Sequence, residues 1–265
     1  MRAEWGPVHG SNNVSEQRLV DRCIWRLPDG SVVVGDSNFG VFSVAYAAFQ
    51  SKHPVVLRLT PVRAQSLLGA PLEDGIDRRI VWKATKADRR SHPELPKDAS
   101  LEGRLLVRLV QPDNGGEPFL LALFTTLEET ADEIYQIYGK RWNIETDLRS
   151  LKSTLKLDQL DCTSVEMVAK EIDAGMLAYN LVRAITAMAA EQTGLPPRTF
   201  SFTRVRKVMN AFAPLIAAAK TQREADRIFD RMMHYVKRGQ LRERKRKPYP
   251  REVWGRPRVF PTHKS

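Results

Sequence analysis

Apolar and polar residues follow three different rhythms along this chain. The run Ser31–Gly35, SVVVG, is β-branched and bounded by the turn Pro28-Asp29-Gly30 and by Asp36, which predicts a buried strand. Phe39–Gln50 then has helical spacing and leads into a second apolar run, Pro54–Leu59. Strand, helix and strand make a β-α-β unit, for which parallel pairing is the rule. A short helix over Glu16–Leu27 precedes the unit, and residues 1–15, rich in Gly, Asn and Ser, read as loop. Beyond Arg63 the period shortens to two, with strands predicted at Arg79–Thr85, Arg104–Gln111 and Pro118–Phe124 around turns such as PDNGG at 112–116. We read this stretch as a β-rich insertion. Helical spacing returns at Thr130–Lys156, opened by a capping box from Thr130 to Glu133, and continues through Ser164–Thr193, Phe200–Lys220 and Gln222–Arg238. After Gly239 charge and proline dominate, and no regular structure is expected.

Within the first long helix, residues 138–152 read YGKRWNIETDLRSLK. At about 100° per residue, Tyr138, Arg141, Glu145 and Lys152 fall within a stripe about 60° wide. Beside it Ile144, Leu148, Leu151 and Leu155 form an apolar seam expected to dock on a core. A carboxylate on the edge of a buried face is placed to meet a group from another element. Asp36, at the C-terminal end of a parallel strand, lies where open α/β sheets hold ligands. Two such carboxylates suit a hard divalent cation, Mg²⁺ or Mn²⁺, in two-metal phosphoryl transfer. Spacing alone leaves a structural reading open, in which Asp36 caps the next helix and Glu145 pairs with Arg141 or Arg149. Trp82 reads as a packed strand residue, and Trp142 as core or groove wall.

Charge sharpens the picture. The chain of 265 residues carries 42 Lys and Arg against 31 Asp and Glu, a net +11, which points to a polyanionic partner. From Lys220 onward 15 basic residues face 5 acidic ones, so nearly all of the surplus lies in the last 46 residues. The tail reads either as a solvated charge run or, with Tyr249 and Trp254 among its arginines, as a surface that binds a DNA backbone. Cys23 and Cys162 belong to no C-x-x-C pair and the five histidines are scattered, which argues against zinc and against a disulfide framework. No apolar run suits a membrane span.

The order Y-x2-R-x3-E-x6-K in Tyr138, Arg141, Glu145 and Lys152 resembles the signature of the IS-four-type insertion-sequence transposases, with every spacing met. GDSNFGVFSVAYAA around Asp36, LAYNLVRAI after the signature and KRKPYPR near the end are similar to that family in the same order, so the resemblance spans Ser15 to Arg251. It implies an α/β fold with a partial ribonuclease-H-like core at 1–62, a β-rich insertion at 63–125, a helical remainder at 126–238 and a basic tail at 239–265. It further implies a DDE transposase that hydrolyses a DNA phosphodiester and joins the freed 3′ end to a target. Asp36 and Glu145 would be catalytic metal ligands for Mg²⁺ or Mn²⁺, and Tyr138, Arg141 and Lys152 would contact DNA. The implied partners are double-stranded DNA, as transposon ends and target, and further copies of the complete protein. The implied location is the bacterial cytoplasm, at the nucleoid, away from membranes.

One departure stands out. The family's first catalytic aspartate belongs on an earlier core strand, yet ahead of Asp36 the chain offers Asp21 on a predicted helix and Asp29 in a turn. Relatives also carry an N-terminal region that recognises DNA ends, with no counterpart here. The expectation is therefore the C-terminal part of a transposase lacking that aspartate. The alternative is a non-catalytic DNA-binding remnant or a regulator of a full-length transposase.

Overall fold

The computed structural model describes Glu4, Gly6 and residues 13–112 and 116–241. The basic tail beyond Leu241, with Tyr249 and Trp254, lies outside them, as does most of the 1–15 loop and part of the 112–116 turn. One five-stranded sheet organises the first half, built from β1 (Val33–Gly35), β2 (Val55–Arg58), β3 (Asp77–Lys83), β4 (Ser100–Val110) and β5 (Phe119–Thr125) in the order β1-β2-β5-β4-β3. The strands β1 and β2 are parallel, joined through α2 (Phe42–Gln50), as the hydrophobic rhythm predicts. The other pairings are antiparallel. The strands at 63–125 attach directly to β2 through β5, so they share one sheet with it.

Because successive side chains alternate between faces, the apolar strands feed two layers at once. Val55, Leu57, Leu105, Val107, Ala122 and Phe124 meet Phe42, Ala45 and Ala48 of α2 on one face. Val56, Leu106, Leu121 and Leu123 meet Ile134 of α5 (Ala131–Gly139) on the other. Trp82 is 3% exposed, its ring edge-on to Phe124 at 4.9 Å, in keeping with a packed strand residue. Gly40 is required where the chain crosses β2, since a Cβ there would lie 2.0 Å from the Arg58 carbonyl oxygen.

Helices too short for a periodic signal add to the sequence picture. After α1 (Glu16–Cys23), the helices α3 (Pro61–Leu68) and α4 (Lys86–Ser91) fall where strands and turns alone were expected. Local chemistry explains them. Thr60 caps α3 ahead of Pro61 and Gly69 ends it at φ 69°, while Thr85 and Asp88 form a capping box on α4.

The second half is helical. The helices α7 (Val165–Thr193), α8 (Phe202–Ala217) and α9 (Gln222–Lys237) enclose their own core of Val182, Ala189, Phe200, Val205, Met232, Met233 and Val236. The predicted helix Thr130–Lys156 is not continuous. It divides into α5, α6 (Trp142–Arg149) and a π-helical turn, Ser150–Thr154. At the junction the amides of Lys140, Arg141, Asn143 and Ile144 donate three residues back, a local 3₁₀ tightening. In the wider turn the Leu155 amide donates five residues back, to Ser150. A single 100° wheel therefore fails here. The apolar seam expected to dock on a core is also corrected. No residue of α6 is buried, and Ile144 and Leu148 remain 50% and 41% exposed, because the break redirects α6 away from the sheet.

Candidate functional site

Topology explains why Asp36 meets the signature segment. The end of β5, Thr125, pairs with Val56 at the start of β2, so α5 must return along the sheet face toward the C-terminal ends of β1 and β2. It arrives at Asp36. A cleft of about 330 Å³ is lined by Val32, Val34, Gly35, Asp36 and Phe39 from the β1 side and by Ile137, Lys140, Arg141 and Ile144 from the helical side.

The Asp36 carboxylate accepts the amide of Asn38 at 2.9 Å, and its carbonyl accepts the amides of Phe39 and Gly40, which turns the chain sharply after β1. It does not cap α2, whose N-cap is Val41. Arg141 Nη2 donates to Glu145 Oε1 at 3.4 Å, and its guanidinium lies 5.8 Å from the Tyr138 ring centroid. Tyr138 is half-buried in the α5 layer, and its hydroxyl is buried without a partner. Asp36 and Arg141 thus share the cleft, with Glu145 tied to Arg141. Lys152 is exposed on the π-helical turn beyond and does not line it.

Sequence reasoning missed two features. Lys140 lines the cleft because the helix breaks there, which periodicity cannot reveal. Asp147, two residues beyond Glu145, receives hydrogen bonds from Arg183 of α7 and, at 2.7 Å, from Arg198 Nη2 at the 3₁₀ turn Pro197–Thr199. Farther along, Arg206 of α8 donates at 2.7 Å to the Thr154 carbonyl at the end of the π-helical turn. Two clamps therefore hang the signature segment on the helical core.

Residues 7–181, most of the chain, match the family described as the transposase DDE domain. The chain belongs to that family. It is also 25% identical over 270 residues to the transposase InsG for insertion sequence element IS4 of Escherichia coli (strain K12). That match takes in 96% of this chain and 57% of the relative, so the chain spans little more than half the length of the protein it resembles. Together these make it an IS4-type DDE transposase sequence.

DDE transposases work with divalent metal, and a carboxylate is a hard oxygen donor suited to such an ion. Asp36 lines the cleft with Arg141, and Glu145, outside the lining, pairs with that arginine. No group of three or more His, Cys, Asp or Glu side chains placed to hold a metal ion occurs among the described residues. Asp21 is on α1 and Asp29 lies in the turn before β1. No described helix is long and apolar enough to cross a membrane.

Proposed function

We propose that this chain is the C-terminal part of the catalytic region of an insertion-sequence transposase, whose complete form cleaves phosphodiesters at transposon ends and joins the 3′ ends to target DNA. The observation that carries the reading is the cleft where Asp36, at the end of a parallel strand, faces Arg141, with Glu145 bonded to that arginine. Asp36 and Glu145 would hold Mg²⁺ or Mn²⁺, which would supply activation of the attacking water and charge stabilisation at the leaving oxygen. Tyr138, Arg141 and Lys152 would fix the phosphates of the transposon end, since charge-assisted bonds position a backbone without reading its bases.

The core at 1–62, the β-rich insertion at 63–125 and the helical remainder at 126–238 would make a partial ribonuclease-H-like fold, followed by the basic tail. The parallel β1-α2-β2 unit with helices on both sheet faces supports this. The third carboxylate would come from a strand not contained in this chain. In support, β1 is an edge strand, and among the described residues no strand pairs with its outer side. In its complete form the protein would act as a homo-oligomer on double-stranded DNA at the nucleoid of a bacterial cytoplasm.

The test is restoration. Residues 1–265 alone should show no Mg²⁺-dependent cleavage of transposon-end DNA, and a protein with the upstream strand and its aspartate restored should cleave. In that protein Glu145→Gln should abolish cleavage while DNA binding persists, because glutamine keeps the shape and loses the anionic ligand. Robust Mn²⁺-dependent nicking by the chain as it stands, lost in Asp21→Asn or Asp29→Asn, would show that the third carboxylate was present all along. The two-carboxylate donor set favours one other reading, a non-catalytic remnant that regulates a full-length transposase. Inhibition of that enzyme by this chain, with no cleavage after restoration, would select it.

A further inference from the structure

The helix α9 carries a feature that neither the signature nor the cleft explains. Arg223, Arg227 and Arg231 recur at steps of four, and Arg238 follows at the helix end, all four exposed. On a helical wheel they occupy a stripe about 80° wide, on the face opposite Met232, Met233 and Val236, which are buried in the helical core. Like charges four apart repel along a helix, so the arrangement costs stability unless something compensates.

Asp230 lies beside the stripe, but no ion pair among the described residues compensates it. None of the four arginines takes part in an ion pair or a side-chain hydrogen bond among the described residues. Two of the three acids on α9 are engaged locally. Glu224 accepts the Lys220 amide at 2.9 Å at the helix start, and Asp226 accepts the Gln222 side-chain amide at 2.8 Å. Among the described residues, the guanidiniums keep their forked donors free for an outside acceptor.

We propose that the Arg223–Arg227–Arg231–Arg238 face of α9 is a docking surface for the phosphate backbone of duplex DNA. From Arg223 to Arg238 the stripe runs about 22 Å, at 1.5 Å per residue, so it can follow one strand past several phosphates. In sequence the stripe leads into the densest run of basic residues in the chain, RERKRK at 242–247. Contacts of this kind hold any duplex alike, fixing the body of the protein on DNA while the cleft engages a particular end. The surface rests on the transposase reading for the choice of duplex DNA as the polyanion. Its test requires no cleavage, so each can fail without the other.

The experiment measures affinity of residues 1–265 for a 30-base-pair duplex of arbitrary sequence between 50 and 200 mM salt. Arg223→Gln/Arg227→Gln/Arg231→Gln removes three phosphate contacts at positions where glutamine is nearly as good a helix former. The logarithmic salt slope should then flatten by about 2.7, so wild-type affinity falls about 40-fold further than the variant's across that interval. The matching lysine triple should retain most of the slope. Circular dichroism checks that each variant folds. A control triple on the insertion, Lys83→Gln/Lys86→Gln/Arg90→Gln, removes equal charge from exposed positions and should leave the slope as in wild type. An unchanged slope in the α9 variant, or an equal drop in the control, overturns the assignment.

Discussion

Tyr138 has its ring half-buried against the sheet and its hydroxyl sealed without a partner. An unmade hydrogen bond of this kind costs about 1–3 kcal/mol, so a phenylalanine would serve the isolated fold at least as well. For the proposed DNA contact the Tyr138 hydroxyl would have to turn out of this site to meet a phosphate acceptor. Tyr138→Phe should therefore leave the melting temperature unchanged or slightly raised, and in the restored protein weaken transposon-end binding about tenfold, the scale of a hydrogen bond to a charged group. Unaltered end affinity would remove Tyr138 from the DNA contacts. Asp21 illustrates the opposite situation. Burial first of all raises the pKa of its carboxyl, with Glu94 adding to this and His92 and Arg18 opposing it. The folded state then holds the proton more tightly than the unfolded chain, so stability declines as pH rises from the ordinary carboxylate value through the raised one. Asp21→Asn lacks that decline. Its melting temperature at pH 7 should exceed wild type, with the gap closing as pH falls below the ordinary carboxylate value. On the proposed reading, in which the third carboxylate comes from an upstream strand, cleavage by the restored protein should be unaffected.

Among the elements, α6 depends most on its neighbours. None of its residues is buried, so its placement rests on the Asp147 clamp and on the turns at either end. The Asp147 carboxylate is 18% exposed and receives two guanidiniums, one of them 43% exposed. Removing one member of a largely buried pair leaves uncompensated charge, typically 3–5 kcal/mol, which the exposure of Arg198 reduces here to roughly 2–3 kcal/mol. Asp147→Ala should show that loss in urea unfolding. In the restored protein it should lower the cleavage rate while DNA affinity holds, because Glu145 is two residues away on the same helix. A loss of DNA affinity alone would mean that the clamp serves binding and leaves Glu145 in place. The tightened turn before α6 and the π-helical turn after it have no signature in composition, since αR backbone continues through both. What distinguishes them is which carbonyl each amide finds, and the packing around the segment decides that.

Across the whole molecule, two cores divide the work. The sheet with α2 and α5 positions Asp36 and the cleft, and the helical core of α7, α8 and α9 presents the arginine face and holds the far side of the signature. The amino-acid order alone determined a good deal of this. The β-branched runs at Val33 and Val55, the alternation in the later strands and the caps at Thr130 and Ser164 specify elements through near-neighbour chemistry, which needs no knowledge of the rest. The spacing of Tyr138, Arg141, Glu145 and Lys152 was likewise readable, as was the concentration of charge after Lys220. Other features required contacts between distant parts of the chain. The pairing of β5 with β2 brings Lys140 and Arg141 to Asp36, and the approach of Arg183 and Arg198 makes Asp147 a hub. The core packed under Met232 and Val236 turns Arg223, Arg227 and Arg231 to one open face. Ile144 and Leu148 show the limit most clearly. Their spacing is that of a buried seam, but burial depends on a surface to pack against, and the folded chain turns this helix away from its own sheet.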